Sequence, residues 1–246
     1  LSAITVSTLT VLILAAALLY ASVGHGGASG YLAAMALLGI APVVMKPTAL
    51  SLNILVAAIA TIKFYRARRF SWAIFWPFAL GSIPFSFVGG SLTLAAYLYK
   101  PVVGVVLLYA GYWLLRTAQT NTAGDIKTVP LPLGIALGGG IGLLSGLTGV
   151  GGGIFLSPLL MLMGWAETRQ TPGITAPFIL VNSIAGLAGH LSNVAVLPGA
   201  LPIWAAAAAV GGYIGAEYGS KRFSSSTLKR LLAIVLFVAG FKMIFL

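Results

Sequence analysis

Apolar runs follow one another along this chain, beginning with Leu1 to Val23, and most are near the 20 residues that a helix needs to cross a bilayer. Nothing in them alternates between polar and apolar, so they do not read as strands of a barrel. Lipid offers the backbone no hydrogen bonds, which leaves helices as the way to satisfy it. A water-facing surface could not be assembled from the remainder. Only 7% of the residues are charged, against about a quarter in an ordinary soluble domain. The expected fold class is therefore an all-α polytopic integral membrane protein.

Lys and Arg number 14 against 3 Asp and Glu. In a soluble chain that imbalance would suggest nucleic acid, but here it fits basic loops on the cytoplasmic side, and no nucleic-acid partner is expected. Cysteine is absent, which removes disulfides, thiolate metal ligands and cysteine nucleophiles. Leu1 to Ser22 lacks the basic start of a signal peptide and resembles Val129 to Thr148 inside the chain, so it reads as mature structure.

A shift of 125 residues lays the chain over itself. Gly24, Gly26 and Gly27 fall on Gly149, Gly151 and Gly152, Gly39 on Gly164, and Pro47 on Pro172. Further along, Pro77 meets Pro202 and Gly90 meets Gly215. Glycine and proline have backbone demands that make such coincidences informative. The expected organisation is an N-terminal repeat over 1–118, a cytoplasmic linker over 119–128 and a C-terminal repeat over 129–246.

Each repeat reads as five apolar segments. The first set is Leu1 to Val23, Tyr31 to Met45, Pro47 to Tyr65, Phe70 to Gly90 and Pro101 to Leu115. The second is Val129 to Thr148, Ile154 to Gly164, Pro172 to Leu191, Gly199 to Tyr218 and Leu228 to Leu246. As a helix rising about 1.5 Å per residue, Ile154 to Gly164 covers only about half of the hydrocarbon core. The second segment of each repeat is thus expected to be short or re-entrant, giving 8–10 helices in all.

Charge suggests how the chain is threaded. Arg66, Arg68, Arg69, Arg116, Lys127, Arg169, Lys221, Arg222, Lys229 and Arg230 can share one side, which should be cytoplasmic. Lys46, Lys100 and Lys242 are then left outside, and Lys63 snorkels to the cytoplasmic edge. This threading inverts the two repeats, an arrangement recurrent in transporters.

The candidate chemistry lies in two glycine clusters, Gly24-His25-Gly26-Gly27-Ala28-Ser29 and Thr148-Gly149-Val150-Gly151-Gly152-Gly153, each directly before a short helix. Helix N-termini carry unpaired N–H groups and partial positive charge, and two of them meeting at the midplane would seat an anion. The same glycines would also allow close helix packing. Asn53 and Asn182, with Ser51 and Ser183 beside them, lie mid-segment, where an amide either lines a site or ties two helices together.

Lys63 and His190 fall near segment ends, and His190 is expected to be hydrogen-bonded at the interface. Glu217, the one carboxylate inside an apolar segment, stands four residues before Lys221 and is expected to pair with it. Asp125 and Glu167 fall in the linker and a loop, and Glu167 sits beside Arg169. No metal cluster and no nucleophile with a base accompanies these acids, so neither an enzyme nor a cofactor is expected.

In its duplicated motifs, Gly24-His25-Gly26-Gly27 and Gly146-Leu147-Thr148-Gly149-Val150-Gly151-Gly152-Gly153, followed by Pro47-Thr48 and Thr171-Pro172, the chain resembles the TauE/SafE family of sulfite and organosulfonate exporters. The resemblance covers nearly the whole chain. It implies a bacterial or archaeal inner-membrane permease for sulfite, sulfoacetate or a related small sulfur oxyanion. One departure is Ala28, which stands where the second repeat has Gly153.

The binding set expected from both readings is Gly24, His25, Gly26, Gly27, Ser29, Asn53, Thr148, Gly149, Gly151, Gly152, Gly153 and Asn182. An importer or channel for another anion, and a non-transporting membrane assembly subunit, remain alternatives at this point.

Overall fold

A computed structural model describes residues 2–117, 127–167, 169–191, 197–221 and 226–245. Among them are ten helices and no strand. In chain order they are α1 (Ala3–Ala21), α2 (Ala28–Leu37), α3 (Pro42–Arg66), α4 (Trp72–Ser91), α5 (Ala96–Thr117), α6 (Leu131–Thr148), α7 (Gly153–Leu162), α8 (Thr171–Leu191), α9 (Leu201–Lys221) and α10 (Ser226–Phe245). Five of these, α1, α3, α4, α6 and α8, are long and apolar enough to cross a membrane. Trp72, Ile62, Val105, Ile214 and Val238 are exposed, as the lipid-facing side of a helical bundle requires. The protein is a polytopic helical membrane protein. Most of the expected linker, including Gln119 and Asp125, and Arg222 near the end of α9 lie outside the described residues.

The helices fall into two runs of five, each with one short helix in second place among longer ones. In each run the second member, α2 or α7, has 10 residues. Gly24, Gly27 and Gly39 have φ of 76°, 98° and 70°, and Gly149, Gly152 and Gly164 have 83°, 81° and 68°. These left-handed conformations recur at the same 125-residue spacing, and a side chain there would be strained.

Two boundaries differ from expectation. The third helix begins at Pro42, which sits in its first turn, and Pro47 lies inside it. Proline suits a first turn because its missing N–H would be unpaired there anyway. At Pro47 the bond lost is the one to the carbonyl four residues back. The helix continues through it and takes Lys46 with it. Pro101 is likewise inside α5 and does not start it.

Packing exchanges the two runs. The first helix of each run lies against the fourth of the other, α1 on α9 and α6 on α4. Both contacts are made by glycines spaced four apart. A Cβ on Gly138, Gly142 or Gly146 would come within 2.3 Å of the carbonyl oxygen of Phe78, Ser82 or Ser86, so backbones touch directly. Gly211, Gly215 and Gly219 meet the carbonyls of Leu14, Leu18 and Ser22 in the same way.

Equivalent helices pack antiparallel. Asn53 of α3 contacts Ser183 of α8, whereas Arg69, just past the end of α3, contacts Gly173 near the start of α8. On α5, Gly104 faces Gly240 and Gly111 faces Ala233 of α10. Antiparallel equivalents are what inverted repeats require.

Candidate functional site

Both short helices begin deep in the molecule and run outward in opposite directions. α2 ends beside Ile40, at the Pro42 end of α3, while α7 ends at Leu162, just before Gly164, whose carbonyl accepts from the Lys127 N–H. Their starts meet at Asn53. This residue lies near the middle of α3, about 17 Å from Pro42 at 1.5 Å per residue.

Asn53 is fully buried and its amide is spent on both glycine turns. Its Oδ1 accepts from the Ala28 N–H at 3.1 Å, in the first turn of α2. Its Nδ2 donates to the Val150 carbonyl at 3.2 Å and to Ser183 Oγ at 3.3 Å. A Cβ on Gly26 would stand 2.2 Å from Asn53 Oδ1, and one on Gly151 would stand 2.3 Å from Nδ2. Gly26 and Gly151 are thus glycines because the amide fills the space a side chain would take.

The other expected residues surround this clamp. The Tyr31 hydroxyl donates to the Gly26 carbonyl at 2.8 Å, and a Cβ on Gly27 would strike that hydroxyl. Gly24 packs on Pro172 and its carbonyl accepts from Thr175 Oγ1 at 3.3 Å. His25 crosses between the turns, its Nε2 lying 3.0 Å from Ser157 Oγ on α7. Gly153 packs against Ile179, with His25 next to it, and Gly152 packs against Phe178. Ser29 is buried in the first turn of α2. Thr148 is also buried, its Oγ1 donating to the Leu144 carbonyl at 2.7 Å and its own carbonyl accepting from the Tyr99 hydroxyl at 3.0 Å. Gly149 rests on the backbone of Lys46.

Asn182 does not join Asn53. It faces α4, where Nδ2 donates to Ser82 Oγ at 3.0 Å and, within its own helix, to the Phe178 carbonyl at 2.8 Å. Its Oδ1 is buried with no hydrogen-bond partner among the described residues. The α8 residue that meets Asn53 is Ser183, one step further along the helix.

Lys46, read from the sequence as lying between two segments, is buried within α3, where its Nζ donates to the carbonyls of Gly89, Gly90 and Leu92 at 3.2, 2.8 and 3.1 Å. It caps the C-terminal end of α4, the negative end of that helix's dipole. The sequence signal was present, a lysine directly before a proline, but taking Pro47 as the helix start placed it in a loop. His190, expected to be hydrogen-bonded, is buried beside the Gly90 backbone, with neither ring nitrogen in good hydrogen-bond geometry among the described residues.

At the other end, Glu217 binds Lys221 as its spacing predicts, and it also binds Lys63. Arg69 donates to the Ser220 carbonyl at 2.8 Å. Partial burial, with Arg169 nearby, holds its guanidinium pKa below the ordinary value. Groups of His, Cys, Asp and Glu able to hold a metal are absent among the described residues.

Comparison with known proteins agrees with this architecture. Over 231 residues the chain is 43% identical to the probable membrane transporter protein y4hK of Sinorhizobium fredii, covering 93% of this chain and 94% of that protein. It is 28% identical over 142 residues to the probable membrane transporter protein YunE of Bacillus subtilis, covering 54% of this chain and 48% of that protein. No solved structure matches. The family described as sulfite exporter TauE/SafE matches residues 9–243, and with y4hK aligned over nearly the whole of both chains, this protein belongs to that family of membrane transporters.

Proposed function

We propose that the chain exports a small sulfur oxyanion, sulfite or an organosulfonate such as sulfoacetate, held at the midplane between the N-termini of α2 and α7. The carrying observation is that both helix starts converge on one buried amide, Asn53. The first turn of each helix presents N–H groups with no acceptor inside the helix, and the dipoles add positive potential there. An anion is the ligand such a pair favours. Asn53 acts as the clamp that holds the two turns together, since its donors are engaged within the protein. The remaining expected contacts come from the backbone of the two turns and from Ser29 and His25, while the Thr148 hydroxyl is spent on the Leu144 carbonyl.

In this reading the protein lies in the inner membrane with its basic loops cytoplasmic, and residues 1–118 and 129–246 are inverted halves whose rocking switches access. Export needs no coupling ion, because one negative charge leaving a negative-inside cell releases about 2.3 kcal/mol per 100 mV. The test is sulfite efflux from proteoliposomes. Folded Gly27→Leu and Gly152→Leu variants should lose it, and unchanged efflux in both would refute the glycine-turn seat.

A further inference from the structure

A cavity of about 290 Å³ opens at the Pro42 end of α3, lined by Pro42, Lys46, Thr93, Tyr99, Leu147 and His190 among others. It is separate from the glycine turns. Lys46 precedes Asn53 by two helical turns, about 10 Å along α3. It is nevertheless connected to them, because the Tyr99 hydroxyl on its wall holds the Thr148 carbonyl and Lys46 lies under Gly149.

Its chemistry is cationic. Lys46 is 5% exposed, and the partners its ammonium has are carbonyls at the end of α4. A helix C-terminus supplies only about half a negative charge, so a positive excess stays in a low-dielectric setting. Among the described residues no carboxylate lines the cavity to cancel it. Glu217 is engaged by Lys63 and Lys221 at the opposite end of α3, and Glu167 precedes the start of α8, whose first turn lies beside Arg69. His190 is 4% exposed, its imidazole lies by the Gly90 backbone, and neither ring nitrogen makes a hydrogen bond of good geometry among the described residues. A buried N–H without an acceptor is costly, and an oxygen-bearing ligand in the cavity would relieve it.

We infer that this cavity is a second anion site, a vestibule that takes a small inorganic oxyanion with part of its hydration shell on the way between the glycine turns and the Pro42 face. Lys46 supplies the charge and His190 the hydrogen bond. The volume fits, since each water accounts for about 30 Å³. The inference stands on the cavity's own residues and does not require the glycine turns to bind.

Saturation binding of radiolabelled sulfite to the purified full chain in lipid nanodiscs, kept anaerobic, tests it. Wild type should show two binding events. Thr93 is exposed at the cavity, so Thr93→Glu adds a negative charge there without disturbing the core. Thr93→Glu and His190→Leu should each weaken one event by about tenfold or more, which is the loss of one good contact, and His190→Gln, which keeps an N–H donor, should largely retain it. Gly152→Leu should remove the other event. If Gly152→Leu leaves both events intact while the cavity variants remove one, the glycine-turn seat fails and the vestibule stands. A single event, indifferent to Thr93→Glu and His190→Leu in protein of wild-type melting temperature, would overturn the vestibule.

Discussion

Asn53 Nδ2 and Ser183 Oγ lie 3.3 Å apart, tying α3 to α8 at the level where both glycine turns reverse. Through the same amide, α2 and the second glycine turn are joined to that pair. Removing the amide therefore strands groups in two elements at once. Asn53→Leu leaves the Ala28 N–H and the Val150 carbonyl without their partner, at about 1–3 kcal/mol for each buried group. Thermal unfolding in detergent should show a large loss. Asn53→Asp keeps the acceptor for Ala28 but places negative charge between the turns, so sulfite flux should fall further than stability does. A folded Asn53→Asp protein with wild-type flux would rule out an anion seat next to this residue.

Gly26 and Gly140 make a matched pair of glycines. A Cβ at Gly26 collides with Asn53 Oδ1 at 2.2 Å, while at Gly140 nothing lies within 4 Å. Gly26→Ala should displace the clamp and abolish efflux. Gly140→Ala, in the interior of α6, should be neutral or stabilising by up to about 1 kcal/mol, because alanine is the better helix former. Parallel melting and flux measurements on the two variants check this, and equal effects would mean that the steric argument at Asn53 is wrong.

The repeat and its short helices were legible because glycine and proline mark backbone geometry. Gly24, Gly27 and Gly39 adopt the same left-handed conformations as Gly149, Gly152 and Gly164. What stayed hidden depends on helix rotation and on which proline begins a helix. Asn53 and Asn182 share a mid-segment depth, yet one residue along a helix turns a side chain by about 100°. Ser183 faces α3 and Asn182 faces α4. Lys46 was hidden by Pro47, which can start a helix or sit in one. With Pro42 five residues earlier, the first-turn position was already filled.

The glycine stripes of α6 and α9 were a readable signal that small residues spaced four apart provide in membranes. At Gly142 and Gly215 an added Cβ would stand 2.2 and 2.0 Å from the carbonyl oxygens of Ser82 and Leu18. Backbone cannot swing aside as a side chain can, so Gly142→Ala and Gly215→Ala must push α6 from α4 and α9 from α1. Overpacking of this kind costs about 1–3 kcal/mol. Both variants should melt lower than wild type and express less well. If either melts like wild type, the close backbone contact at that glycine is not present in the membrane.

Glu217 accepts from Lys63 and Lys221 on opposite flanks, and the two lysines are not equivalent. The Lys221 side chain is 72% exposed against 17% for Lys63. Lys63 also stands 4.0 Å over the Tyr213 ring. An exposed ion pair is screened by water and salt, so Lys221→Ala should leave the melting temperature nearly unchanged. Lys63→Met should lower it more, since Glu217 would then depend on the exposed partner and the contact between α3 and α9 would weaken. Glu217→Gln separates a structural carboxylate from one that carries protons. A structural role predicts a modest fall in stability, most visible at low salt, with sulfite flux preserved per folded molecule and the same response to an imposed pH gradient as wild type. Loss of that response in folded Glu217→Gln protein would instead make this carboxylate a coupling site.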